Sequence, residues 1–391
     1  MAGSVKSTTA KSSTKAKAKA NKKPALMGFD TTFLVIIVVL VLFGLVMVFS
    51  ASAPAASYRT GNAYHYIVRQ LIFAVLGFVS MLILANMDYH RFGKLATIIL
   101  IGAFLTLFLV YVPGLGIAAK GARRWVGYGI LTFQPSEIAK LAIIIYFAYS
   151  LSIVKDKIKS FTRGLLRYLL ILGAFGGVII LEPHFSGTVV IMLTACTMLL
   201  IAGAKIRHFM AMFCAVLPIG VIAIIKEPYR MSRITSFMDP FAHRLDEGYQ
   251  IIQSLYAIGS GSIFGLGLGL SRQKFLYIPE PQNDFIFSII CEELGLVGAA
   301  VVILLFIVFV WRGFRIAQEA PDMFGCLLAS GITALIAIQV IINIAVVTSS
   351  IPVTGMALPF FSSGGTSLFL LMSAMGMVLN VSKQRRAKAV V

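Results

Sequence analysis

Ten apolar runs, each close to the length of a bilayer crossing, constrain this chain more than any other feature. A helix needs about 20 apolar residues to cross the hydrocarbon core. By that measure spans are expected at Thr31–Ser50, Ile67–Asn86, Leu95–Val112, Ser136–Val154, Leu165–Leu181, Thr188–Ala204, Phe209–Ile225, Phe285–Trp311, Phe324–Ser349 and Thr366–Val381. The expected fold is an all-α polytopic membrane protein of about ten helices. A long extracytoplasmic loop, 226–284, separates helices 7 and 8. With 59% hydrophobic and 13% charged residues, the chain departs from the roughly 25% charge of soluble domains. No internal repeat is visible, so nothing suggests the inverted repeats of many transporters.

The net charge of +19 would suit nucleic acid, but its distribution suits membrane lipids: the basic residues flank the apolar spans. With the N-terminus in the cytoplasm, 22 basic residues fall on that side and 11 on the other. Both termini are therefore expected in the cytoplasm. Residues 1–30 read as a disordered basic tail, 31–382 as the membrane domain and 383–391 as a second basic tail. Ala51-Ser52-Ala53 resembles a signal-peptide cleavage site, but the preceding run exceeds the ~7–15 residues of a signal h-region and Pro54 follows, so an anchor is expected. The four cysteines lie in or beside apolar segments without metal-ligand spacing and read as packing residues.

Polar residues outside this pattern are few. The 226–284 loop carries six basic residues, Arg230, Arg233 and Lys274 among them, and six carboxylates including Asp284. Arg123, Arg124 and Trp125 place positive charge on the disfavoured side. They read either as an interfacial anchor or as a cradle for a phosphate-bearing ligand. Glu137 and Lys140 are three residues apart at the start of the fourth span, on one helix face, and can pair either to fix packing or to wall a site. Glu182 and His184 occupy a turn at another outer helix end. The glycines between 259 and 269 lack the strand and helix a nucleotide fingerprint requires, and suit a flexible or closely packed re-entrant turn. Asp284 stands where a helix begins, as an N-cap, a general base or both. Glu292 and Glu293, deeper in that helix, require partners.

Several motifs together carry a resemblance: GARRW at Gly121–Trp125, QPSEIAKLA at Gln134–Ala142, YQIIQSLYAIGSG at Tyr249–Gly261, GLGLGLSRQKFLYIPEPQNDFIFSIICEELG at Gly265–Gly295 and NIAVVTSSIPVTGMALPFFSSGGTS at Asn343–Ser367. They resemble the SEDS family (shape, elongation, division, sporulation), in its FtsW/SpoVE branch, from Thr31 to Ser382. The resemblance implies a peptidoglycan glycosyltransferase of the cytoplasmic membrane, at the division septum or in sporulation. It would polymerise lipid II beside a class B penicillin-binding protein and other division proteins, with no nucleic-acid partner. It assigns Asp284 as the catalytic carboxylate. Arg123, Arg124, Trp125, Arg230, Arg233, Lys274 and Gln282 would contact substrate, supported by Glu137, Lys140, Glu182, His184 and Ser363. No cofactor is required and no metal ligands are expected, although a divalent cation could assist at the diphosphate. The chain departs from the family at His184, where an acid is usual, at Asn283, often Thr, and at Ser363, where Tyr is common. The rival readings are a lipid-linked oligosaccharide flippase and a non-catalytic scaffold that recruits the penicillin-binding protein.

Overall fold

The computed structural model describes residues 28–119, 122–128, 131–182, 184–211, 214, 228–244 and 248–385. Its helices are α1 (Thr31–Thr60), α2 (His65–Asn86), α3 (His90–Phe108), α4 (Pro135–Val154), α5 (Leu166–Leu181), α6 (Phe185–Ile201), α7 (Pro228–Met238), α8 (Gly248–Ser260), α9 (Ile286–Gln318), α10 (Met323–Val347) and α11 (Gly365–Lys383). Among the described residues, eight helices are long and apolar enough to cross a membrane, and α6 is a shorter apolar helix of 17 residues. The expected span Phe209–Ile225 lies almost wholly outside the described residues. α1 continues ten residues beyond the expected Ser50, through Pro54, and buries Ala51 and Ser52 inside the bundle. The cleavage-like tripeptide is therefore part of a packed helix.

The first and last described segments of the chain meet at one end of the bundle, here called the terminal end. Asp30 caps α1 by accepting from the Phe33 N–H at 2.9 Å, and its own N–H donates to Ser382 Oγ of α11 at 3.2 Å. Arg312 and Arg385 lie 2.7 and 3.3 Å from the same carboxylate. Burial alone would raise the Asp30 pKa, but hydrogen bonds from Arg312 and the Phe33 N–H and the two nearby positive charges hold it below the usual carboxylate range.

The opposite, distal end holds the irregular structure. Between α3 and α4 the chain forms an antiparallel sheet, β1 (Gly116–Ala119), β2 (Ala122–Tyr128) and β3 (Leu131–Phe133), in the order β1-β2-β3. No strand was expected there from sequence. Trp125 pairs with Ile117 and Arg123 with Ala118, which leaves Arg124 as the extra residue of a bulge. Bulges re-aim side chains in this way.

α9 is two helical arms broken at Gly295 (φ 66°, ψ −164°). The first arm rises from Asp284 toward the distal end. Asn343, one turn before the end of α10, bonds the Asp284 carbonyl, whereas Ser254 bridges Ser288 to the last α10 residue, Val347. The second arm runs back through the bundle. The 261–267 segment is bonded across the break: Leu266 and Gly267 N–H donate to the Glu292 and Glu293 carbonyls, while Leu296 and Val297 N–H donate to Ser262 and Ile263. Here the glycines are required by close approach, since a Cβ on Gly261 would stand 1.9 Å from the Cys291 carbonyl oxygen. The region is the closely packed turn, not a nucleotide loop.

Candidate active site

Asp284 is half-buried on a turn held by its main chain. The 348–364 segment between α10 and α11 folds back into the bundle and clamps this turn. Ser363 N–H donates to the Gln282 carbonyl at 2.8 Å and Ser362 Oγ to the Asn283 carbonyl at 2.7 Å. Asn343 Nδ2 donates to the Asp284 carbonyl at 2.8 Å and to the Met356 carbonyl at 2.6 Å. The N-cap of α9 is Phe285, with no side-chain cap. The cap position thus falls one residue beyond Asp284. The Asp284 carboxylate lies over Gly355, where a Cβ would stand 3.4 Å from Oδ2 and where φ is +67°.

A polar path leads from this clamp to the paired charges of α4. Gln70, buried in α2, donates through Nε2 to the Ser362 carbonyl at 3.3 Å and accepts from the Gly364 N–H at 3.1 Å. α11 begins at the next residue, and its Ser367 Oγ donates to Glu137 Oε2 at 3.3 Å. Glu137 Oε1 accepts from Lys140 at 2.6 Å, with Lys140 only 3% exposed. Thr366 ties α11 to the sheet through the Thr132 carbonyl at 3.1 Å, and Arg69 donates to Thr132 Oγ1 at 2.6 Å. The Glu137–Lys140 pair therefore joins the same polar wall as the Asp284 turn.

A third group flanks it. Gln134 Nε2 and Ser136 Oγ each stand 3.2 Å from His184 Nδ1. Burial, helped by the nearby Arg124 and Lys140 charges, lowers the His184 pKa to about 3, so the ring is neutral. Glu182 is 1% exposed, and neither carboxylate oxygen has a hydrogen-bond partner among the described residues. Burial raises its pKa to about 8 against the opposing pull of Arg124. The bulge thus brings half-buried Arg124 to the Glu182–His184 turn, while Arg123 is exposed and Trp125 half-buried on the strand.

Not every sequence-derived assignment joins this surface. Lys274 is buried, 2.8 Å from Glu293 and 2.6 Å from the Gly269 carbonyl, and Ser50 Oγ completes the group. Its charge is balanced there, which corrects its expected place among the diphosphate-binding cations. Glu292 accepts from Ser271 Oγ and from the Arg272 N–H at 2.9 Å, so both deep carboxylates have the partners they require. The Gln282 side chain is buried, with Oε1 lacking a hydrogen-bond partner among the described residues. Ser363 enters through its main chain. Arg230 and Arg233 belong to α7, and their side chains lie outside the described residues. Among the described residues no group of three or more His, Cys, Asp or Glu is placed to hold a metal. Sequence reasoning missed Gln70, Asn343, Ser362 and Ser367. Gln70 and Asn343 each carried a signal, an amide inside an apolar run, and Asn343, Ser362 and Ser367 all lie in the Asn343–Ser367 motif.

These features define a multi-pass membrane protein with a polar, partly buried site at one end of its bundle. The chain belongs to the FtsW/RodA/SpoVE family of cell cycle proteins, whose model matches residues 30–387. It is 45% identical over 357 residues to stage V sporulation protein E of Bacillus subtilis, covering 91% of this chain and 98% of that protein. It is 41% identical over 362 residues to the probable peptidoglycan glycosyltransferase FtsW of Geobacter sp. strain M18, covering 93% and 99%. Among solved structures it is similar to a chain from a study of polymerization and crosslinking by a peptidoglycan synthase complex, with TM-score 0.76, 27% identity and coverage of 91% and 98%. It is also similar to the rod shape determining protein RodA of Thermus thermophilus, with TM-score 0.67, 25% identity and coverage of 93% and 99%.

Proposed function

We propose that this protein is a peptidoglycan glycosyltransferase that polymerises lipid II at the outer face of the cytoplasmic membrane. The observation that carries this reading is the clamped Asp284 turn, which presents one carboxylate at the distal end beside a polar wall. Asp284 takes the proton from the acceptor sugar hydroxyl as that oxygen attacks the anomeric carbon of the donor. The bond to the donor's polyprenyl diphosphate breaks with inversion. A diphosphate already leaves well, so one carboxylate suffices, unlike the pair that glycoside hydrolysis needs. Negative charge growing on the diphosphate is met by fixed cations, for which Arg123 and Arg124 are the best placed. A divalent ion carried by the diphosphate would share that task, and no resident cofactor is needed.

The charge asymmetry of the loops supports cytoplasmic termini and an outward-facing site. The similar chain from a peptidoglycan synthase complex that coordinates polymerization and crosslinking supports a crosslinking penicillin-binding protein, of class B in this reading, as partner, and the division septum is the proposed place of action. A flippase would need a polar route through the whole bundle. Beneath the Asp284 turn lies an aromatic layer instead: Phe361 against Phe43 and Phe306 at 5.4 and 5.9 Å, Phe360 against Phe309 at 5.9 Å. That layer favours transfer at the distal end over passage. The test is purified protein incubated with lipid II, with and without its partner. Glycan strands are expected, and their absence from every combination, with lipid II translocation in their place, overturns the reading.

A further inference from the structure

The tip of the broken helix carries an apolar crest that the reaction does not explain. Phe264 is 82% exposed and Leu270 64%, with Ile263 and Leu268 also more than half exposed. Residues 262–271 contain no charge, and the first ionic side chain after them is Arg272. Soluble surfaces rarely leave such a contiguous patch uncovered.

Three observations say what covers it. The crest is continuous with the exposed face of the second arm of α9, since Leu296 and Val297 bond directly to Ser262 and Ile263. That face continues through Val301, Leu304 and Ile307, all exposed and apolar on a helix long enough to span a bilayer. Depth gives the second argument. From Leu296 to Arg315, the basic residue in the last turn of α9, the rise is about 28 Å. The hydrocarbon core is about 30 Å thick, so with Arg315 at one boundary the tip does not clear the other. Third, irregular backbone survives at that depth only when its polar groups are satisfied internally. Here Gly265, Leu266, Gly267, Leu270, Leu296 and Val297 N–H all donate to main-chain carbonyls, and the tip's carboxylates are partnered from within, Glu293 by Lys274 and Glu292 by Ser271 Oγ and the Arg272 N–H.

We propose that Ile263, Phe264, Leu268 and Leu270 are immersed among the acyl chains of the distal leaflet, making the helix tip a membrane-anchored platform for the segment that carries Asp284. Arg272 then stands at the level of the headgroup phosphates, where a cation is favoured.

The experiment uses the full chain in lipid nanodiscs, without any partner protein. Trp125→Phe and Trp311→Phe remove both native tryptophans, and Phe264→Trp or Leu268→Trp supplies a single reporter, with Leu304→Trp as the lipid-facing reference. Acyl-brominated phospholipids should cut the emission of both tip reporters at least twofold, as at Leu304→Trp, while aqueous acrylamide quenches them less. Two tip positions prevent one poorly folded variant from deciding the result. Stronger quenching by acrylamide than by brominated lipid at both sites overturns the proposal and leaves the crest as a surface that only another protein could cover.

Discussion

The two ends of the bundle treat most of their polar groups differently, although the terminal end also holds a buried His208 Nε2 without a hydrogen-bond partner among the described residues and a positive φ at Lys155. At the terminal end, Asp30 is shared by two arginines, Arg385 also reaches Glu319 at 3.0 Å, and Asp322 receives Tyr89 and His90. At the distal end, Glu182, the side-chain amide oxygens of Gln282 and Asn343 and Thr354 Oγ1 are buried without hydrogen-bond partners among the described residues. Leu276 and Glu280, on the approach to Asp284, hold positive φ, as does Phe360 near the clamp. Buried polar groups without partners and strained backbone both cost stability, and persist where a site needs them. One end ties the termini together; the other is organised for a ligand.

The sharpest way to break this contrast is at Asp284. Asp284→Asn keeps the turn, because the clamp grips main-chain carbonyls, yet removes the base. Polymerisation should fall by about 10²–10⁴-fold while lipid II binding and thermal stability hold. Near-native glycan synthesis would remove Asp284 from its assigned role.

Next in size is the α4 pair. Glu137→Gln alone leaves buried Lys140 without its anionic partner and should cost about 3 kcal/mol of stability. The double change Glu137→Gln with Lys140→Met should recover most of it in a thermal melt. Recovered stability with activity still lost would mark the pair as part of the site rather than of packing alone.

A smaller effect is expected at the terminal end. Asp30→Ala should lower stability by about 2 kcal/mol, below the cost for fully buried pairs because both arginines retain some access to water, while turnover per folded molecule stays unchanged. The depressed Asp30 pKa means this contribution is present above the ordinary carboxylate range and lost as pH falls through the folded value. Altered turnover without altered melting would blur the distinction between the two ends.

The last change, in pH dependence rather than in activity, belongs to Glu182. Its folded pKa is raised to about 8, so the folded state holds a proton that the unfolded chain releases near 4.5. Stability should therefore decline as pH rises between these values and level off above about 8. Glu182→Gln, which mimics the protonated form, should flatten that part of a melting-temperature profile. An unchanged slope would mean that Glu182 is ionised and paired in the folded protein.

Much of this was legible in local sequence. Apolar length located the spans, because the bilayer imposes one requirement on every helix. The motif around Gln282–Asp284 singled out the carboxylate. The need of Glu292 and Glu293 for partners followed from desolvation alone. Which partners they take did not, because Ser50, Ser271 and Lys274 reach them only when α1 and the 261–274 segment fold against the broken helix. The same contacts turned Lys274 from an expected ligand cation into an internal counter-ion. The sheet was hidden because its strands are short and lie in a segment whose charges suggested a loop. Gln70, Ser362 and Ser367 act through residues 79 to 294 positions away. Apolar periodicity thus determined how the chain crosses the membrane, whereas long-range hydrogen bonds, which no local window contains, decided which polar residues meet at the site.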